Sequence, residues 1–118
     1  HRDLHSFPTR RSSDLCIMEW ILDKTEKMPV SVRFSLSNRI ASFAIDNIEI
    51  ITEAIYSKNK QKLLRKLNLN IEKLRILFRL CYDKRYISEK QYVYISQNLN
   101  EAGKMCGGWI KSLYDENL

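Results

Sequence analysis

From Leu64 to Cys81 the apolar side chains Leu64, Leu67, Ile71, Leu74, Phe78 and Cys81 recur at steps of 3, 4, 3, 4 and 3. That spacing stays on one face of an α-helix but would fall on both faces of a strand. The stretch KLLRKLNLNIEKLRILFRL consists almost wholly of strong helix formers, with Asn68 and Asn70 as its weak points. The pattern predicts a helix over 60–85, capped by Ser57 or Asn59, with Leu63, Leu77 and Leu80 widening the stripe. A helix with such a stripe needs other elements to bury it.

Three further segments supply them. Over 88–114, Tyr92, Ile95, Leu99, Ala102, Cys106, Trp109 and Leu113 alternate steps of 3 and 4 behind a Ser88–Gln91 capping box. The row continues past Gly103, Gly107 and Gly108, so one helix is expected to run through them, although Gly107-Gly108 could also end it. Gly103 and Gly107, four apart, would let another backbone approach closely. Over 31–57 there are two adjacent rows: Leu36, Ile40, Phe43, Asn47, Ile50, Ala54 beside Ala44, Ile48, Ile51, Ile55. Ser31 is the expected cap of that helix. Asn47 on the apolar row is expected to be partly exposed; fully buried, it would need partners and could set register. A shorter helix over 16–28 presents Ile17, Trp20, Ile21 and the stem of Lys24, and Pro29 stops it.

The chain has 118 residues, which is one domain's length. It is 44% hydrophobic with two Pro and three Gly, too few turn formers for a many-stranded sheet and too apolar for a disordered chain. No run of about 18 apolar residues occurs to span a membrane. The expected fold is all-α: an antiparallel up-down four-helix bundle over 16–118, with one short N-terminal helix and three long ones.

Residues 1–15 are expected to be an artefactual or disordered tail. The string HSFPTRRSSDL at 5–15 resembles a sequencing-library adapter translated in one frame, and it is set aside from fold reasoning. The segment Leu4–Leu15 lacks the apolar run of a signal peptide. Both histidines, His1 and His5, fall there. Cys16, Cys81 and Cys106 are an odd count without metal-ligand spacing, so buried thiols in a reducing cytosol are expected, with no metal and no cofactor.

The charge is not evenly spread. Residues 58–85 carry ten Lys and Arg against Glu72 and Asp83, a net +8, while 16–30, 31–57 and 86–118 each sum to −1. At about 100° per residue, Lys58, Lys62, Arg65, Lys66, Lys73 and Lys84 lie opposite the apolar stripe, flanked by Arg75 and Arg79. A charged outer face can be merely solvated. A ridge of one sign repels itself, however, and suits a polyanion such as nucleic acid. A membrane fits less well, because the helix needs its apolar face for the bundle. Tyr82 and Tyr86 near the end of the ridge could stack on bases or be part of the core. Asp46, Glu49 and Glu53 form an acidic edge that could pair with a basic helix.

Catalysis is hard to build from these residues. Outside 1–15 there is no His, no Glu-x-x-His and no phosphate-binding Gly-rich loop. An enzyme ranks below a nucleic-acid-binding module. It also ranks below an oligomerising bundle whose basic helix docks on an acidic protein.

WILDKTEKMPVSVRF (20–34), LRKLNLNIEKLRILFRL (64–80) and Gly-Gly-Trp (107–109) resemble the accessory variability determinant proteins of diversity-generating retroelements. Those proteins belong to a wider four-helix-bundle family that includes the rRNA intervening-sequence proteins. The resemblance spans roughly 17–112. It implies a small, basic, non-enzymatic cytoplasmic bundle assembled as a homopentamer. It further implies binding to the element's reverse transcriptase and to template RNA or DNA during mutagenic copying. The candidate nucleic-acid-binding residues are Lys62, Arg65, Lys66, Lys73, Arg75 and Arg79. Arg33 and Arg39 also fall in the family's motifs, as candidates for phosphate contact or for an inter-subunit ion pair.

Overall fold

The computed structural model describes residues 16–116. Within that range the chain is all-helical, without a strand, and has four α-helices. They are α1 (16–26), α2 (Asn38–Tyr56), α3 (Lys60–Asp83) and α4 (Glu89–Glu116). The tail over 1–15 lies outside the described residues.

The stripe of α3 organises the core. Leu64, Leu67, Ile71, Leu74, Phe78 and Cys81 are all buried, and they meet Ile40, Ala44, Ile50, Ile51 and Ala54 of α2 and Ile95, Leu99, Ala102 and Cys106 of α4 in one cluster. α1 adds Ile17 and Ile21, together with Met18, which the sequence pattern did not place on its inner face. The Trp20 ring lies 6.2 Å from Phe78 and 5.1 Å from Tyr94, and Lys24 Nζ sits 5.5 Å over it in a cation–π contact. Between α2 and α3, Asn47 meets Asn70, and the Lys60 ammonium donates to the Ala54 and Ile55 carbonyls at 2.8 and 3.1 Å. Partner numbers fall along α3 as they rise along α2. Between α3 and α4, Tyr82 stacks on Tyr92 and the Cys106 thiol donates to the Leu64 carbonyl at 3.1 Å, which is the same sense. These contacts between consecutive helices are consistent with the expected up-down order.

The joints differ from expectation in three places. Pro29, with its fixed φ and no N–H, ends the α1 region and holds the cap position that Ser31 was expected to take. The chain does not enter regular helix at once: a 3-10 turn over Val30–Val32 and a π-helical turn over Arg33–Ser37 lead into α2. The buried Ser37 hydroxyl donates to the Thr25 carbonyl at 2.7 Å, tying this irregular entry to the end of α1. At the other end, α3 stops at Asp83 and Arg85 takes φ 62°. The Arg85 and Tyr86 amides donate to the Tyr82 and Cys81 carbonyls at 2.9 and 2.8 Å, a Schellman closure with arginine where glycine is usual. The Ser88–Gln91 capping box forms reciprocally, at 2.9 and 3.1 Å.

Asn47 is fully buried, not partly exposed, and Asn70 is 4% exposed. The Asn70 side-chain amide donates to Asn47 Oδ1 at 3.0 Å, and Asn47 Nδ2 faces Met18 Sδ at 4.0 Å. The two asparagines satisfy each other where two apolar faces meet, which is the condition under which burial is tolerated. α4 runs unbroken through its glycines. No close backbone approach occurs at them: a Cβ on Gly103 would meet Ile71 and Asn68 side-chain atoms at 3.9 and 4.0 Å, and one on Gly107 or Gly108 would meet nothing within 4 Å. Leu80 was expected to widen the stripe but is 42% exposed, since its position on the helix points outward.

Candidate nucleic-acid interface

Lys62, Arg65, Lys66 and Lys73 of α3 are exposed, as the helical wheel requires, and Lys58, Lys84 and Arg85 beyond its ends are exposed too. None has a carboxylate within 4.0 Å among the described residues, where ion pairs of α3 are confined to Arg75–Glu72 at 2.8 Å and Arg79–Asp83 at 3.0 Å. Both of those pairs are exposed, lie within one helix and contribute little to stability. Lys60 leaves the set, because its ammonium caps the C-terminal end of α2. Among the described residues the acidic edge of α2 forms no ion pair with α3, although Glu53 shares a groove with Lys62 and Lys66.

The cations do not form one unbroken ridge. Lys62 and Lys66 open onto the α2 side, in a groove of about 710 Å³ with Thr52, Glu53 and Tyr56. Lys73 leans the same way, its Nζ 5.5 Å over the Phe43 ring. Arg75 and Arg79 open onto the α4 side, in a groove of about 430 Å³ with Glu72, Ile76, Tyr92, Ser96, Gln97 and Asn100. Arg65 is exposed and unpaired. Between the two flanks the outer face carries Leu69 and Ile76, 54% and 69% exposed, as well as Leu80. The structure therefore joins Lys62 to Lys66 and Arg75 to Arg79, and separates the two sets by an apolar strip.

Hydrogen bonds first, and charge after them, shift two groups in the α4-side groove. The Tyr92 phenol is held below its ordinary value by its interaction with Ser96 first; burial opposes this and the Arg79 guanidinium adds to it. Arg79 is held above its ordinary value by Tyr92 first and then by Asp83. Tyr82 is half-buried and stacked on Tyr92, with centroids 4.7 Å apart and planes 9° from parallel, so that ring face is occupied. Tyr86 is half-buried as well.

Arg33 and Arg39 stand apart from α3's cations, at the irregular entry to α2. Both are exposed. Arg39 lines a groove of about 650 Å³ with Phe34, Ser35, Leu36, Asn38 and Ser42. The sequence pattern missed Phe34, Tyr92, Ser96, Gln97 and Asn100 as lining residues. The one signal it offered was that Leu69 and Ile76 sit off the α3 stripe, seven apart.

Among the described residues no group of three His, Cys, Asp or Glu is placed to hold a metal ion, and no helix is long and apolar enough to cross a membrane. Fold and surface together define a small helical protein with a cation-bearing third helix. A family model described as bAvd-like matches residues 10–113, and the chain belongs to that family, an Avd-like protein as the sequence resemblance implied. No curated protein and no solved structure matched this sequence.

Proposed function

We propose that this chain is a non-enzymatic accessory protein of a diversity-generating retroelement, working in the cytoplasm without metal or cofactor. It binds template RNA or DNA together with the element's reverse transcriptase, and so supports mutagenic retrohoming. In this reading the antiparallel up-down bundle is the protomer of a homopentamer. Membership of the bAvd-like family supports the reading. The observation that carries the nucleic-acid part is that Lys62, Arg65, Lys66 and Lys73 are exposed and, among the described residues, have no carboxylate in ion-pair distance. Phosphates can then be contacted without displacing an existing partner. Arg75 and Arg79 exchange only weak, exposed pairs for phosphate.

The test is a salt titration of binding to labelled RNA and DNA oligonucleotides. The triple variant Lys62→Gln, Lys66→Gln, Lys73→Gln should weaken binding and flatten the slope of log K against log salt. Each lost phosphate contact removes about 0.7–0.9 from that slope, so the loss should total about 2–3. Binding that does not change between low and high salt would refute the phosphate model.

One observation favours a second reading. Leu69, Ile76 and Leu80 expose apolar surface among the cations, which suits an acidic protein partner better than a phosphate chain. Under that reading, an oligomerising bundle docks its basic helix on an acidic protein; Leu69→Ser with Ile76→Ser abolishes that docking, and polyphosphate does not mimic the loss.

A further inference from the structure

Phe34 is 89% exposed, more than any other large apolar side chain described. It stands on the π-helical turn Arg33–Ser37, a rare local winding that often marks functional positions. Its groove is otherwise polar: Ser35, Asn38, Arg39 and Ser42 line it, with only the half-buried Leu36 adding apolar surface. Arg33 precedes it and is exposed. Neither arginine has a carboxylate within ion-pair distance among the described residues. From Lys27 to Ile45 the sequence holds three cations and no Asp or Glu. A protein-docking patch would gather several apolar residues around the ring. Here a single aromatic face is set among guanidinium, hydroxyl and amide groups.

We propose that Phe34 is a stacking platform for an unpaired base of a single-stranded nucleic acid, with Arg33 and Arg39 holding the flanking phosphates. Every base presents a π-face, and an exposed ring beside cations is the arrangement that grips single strands without reading sequence. A duplex offers no such face, since its bases are stacked on one another. The α3 cations accept either form. The entry to α2 therefore makes the protein prefer single strands. This inference rests on the proposed nucleic-acid binding and adds the form of the strand.

The test uses the full chain with two probes at one fixed salt concentration: a labelled 12-mer of oligouridylate and a blunt RNA duplex. Phe34→Ala should lower affinity for oligouridylate about fivefold or more, and leave duplex affinity unchanged. Phe34→Trp should keep oligouridylate affinity and lose indole emission as the oligonucleotide is added. An equal loss on both probes overturns the stacking role, as does a Phe34→Ala variant that binds both like wild type. In the latter case the α3 triple variant still loses affinity, so phosphate binding stands and only the platform falls. A change of assembly mass in Phe34→Ala would make the ring a contact between copies and overturn the inference too. If wild type binds neither probe, both the inference and the function on which it rests are refuted.

Discussion

The pair Asn47–Asn70 gives the sharpest test of how this core is specified. Both side chains are buried, and one hydrogen bond of 3.0 Å joins them. Asn70→Leu keeps the branched shape but leaves Asn47 Oδ1 without a donor. A buried group left unsatisfied costs about 1–3 kcal/mol. Asn47→Leu strands the Asn70 amide in the same way, at a similar cost. The double variant removes both polar groups together, and such paired replacements are nearly neutral or stabilising. The expected coupling energy is then close to the sum of the two single losses, about 2–6 kcal/mol. In a domain of this size each kcal/mol moves the melting temperature by about 3–5 °C. Thermal and urea unfolding of wild type, both single variants and the double, followed by circular dichroism at one protein concentration, measures the cycle. If the double variant loses the sum of the single losses, the asparagines do not act as a pair and the register argument fails.

Three other outcomes are expected at single positions. Burial pushes the Cys81 thiol from 9.0 up to about 11, so the unfolded chain releases its proton first as pH rises. Stability should fall between about pH 9 and 11, by roughly 3 kcal/mol in all, and Cys81→Ala should flatten that slope in pH-dependent unfolding. Arg85→Gly should raise stability by about 1 kcal/mol, because φ 62° is unfavourable for an L side chain; calorimetry that shows no gain would contradict this. Gly107→Ala should add about 0.8–1 kcal/mol to the unfolding free energy, since the added Cβ meets nothing within 4 Å on a helical position.

The helices were legible because burial of a continuous stripe decides helix phase, and the α3 row is buried from Leu64 to Cys81 without exception. Local pattern was least informative where one side chain's fate depends on another helix. Asn47 and Asn70 each look unfavourable alone, and become compatible with burial only when two helices bring them within 3.0 Å. The entry to α2 was hidden for a related reason: Ser37 is drawn inward by a carbonyl of α1, twelve residues earlier, which no local periodicity encodes. The closure of α3 carries no glycine signal, because arginine occupies the left-handed position. For the candidate interface, the helical wheel put Lys62, Arg65, Lys66 and Lys73 on the face where they are exposed. It could not show that Lys60 turns back to cap α2, or that neighbouring helices divide the cations into two grooves.

That division bears on what the surface can bind. Among the described residues Lys62, Lys66 and Lys73 have no carboxylate in ion-pair distance, and Lys62 and Lys66 share a groove with Glu53 of α2. Under the proposed function, Glu53 in their groove would repel a phosphate chain that lay too deep and leave it at the outer ends of the lysines, where salt screens charge within about 10 Å at 0.1 M. Arg75 and Arg79 already have partners and a polar lining of phenol, hydroxyl and amide groups. A phosphate bound there would exchange one set of hydrogen bonds for another and respond less to salt. The α2-side lysines should therefore control how steeply affinity depends on ionic strength, while the α4-side arginines set the affinity that remains when salt is high. Lys66→Gln and Arg75→Gln, compared across one salt series, separate the two contributions: parallel lines for both variants would mean the flanks act as a single cationic field.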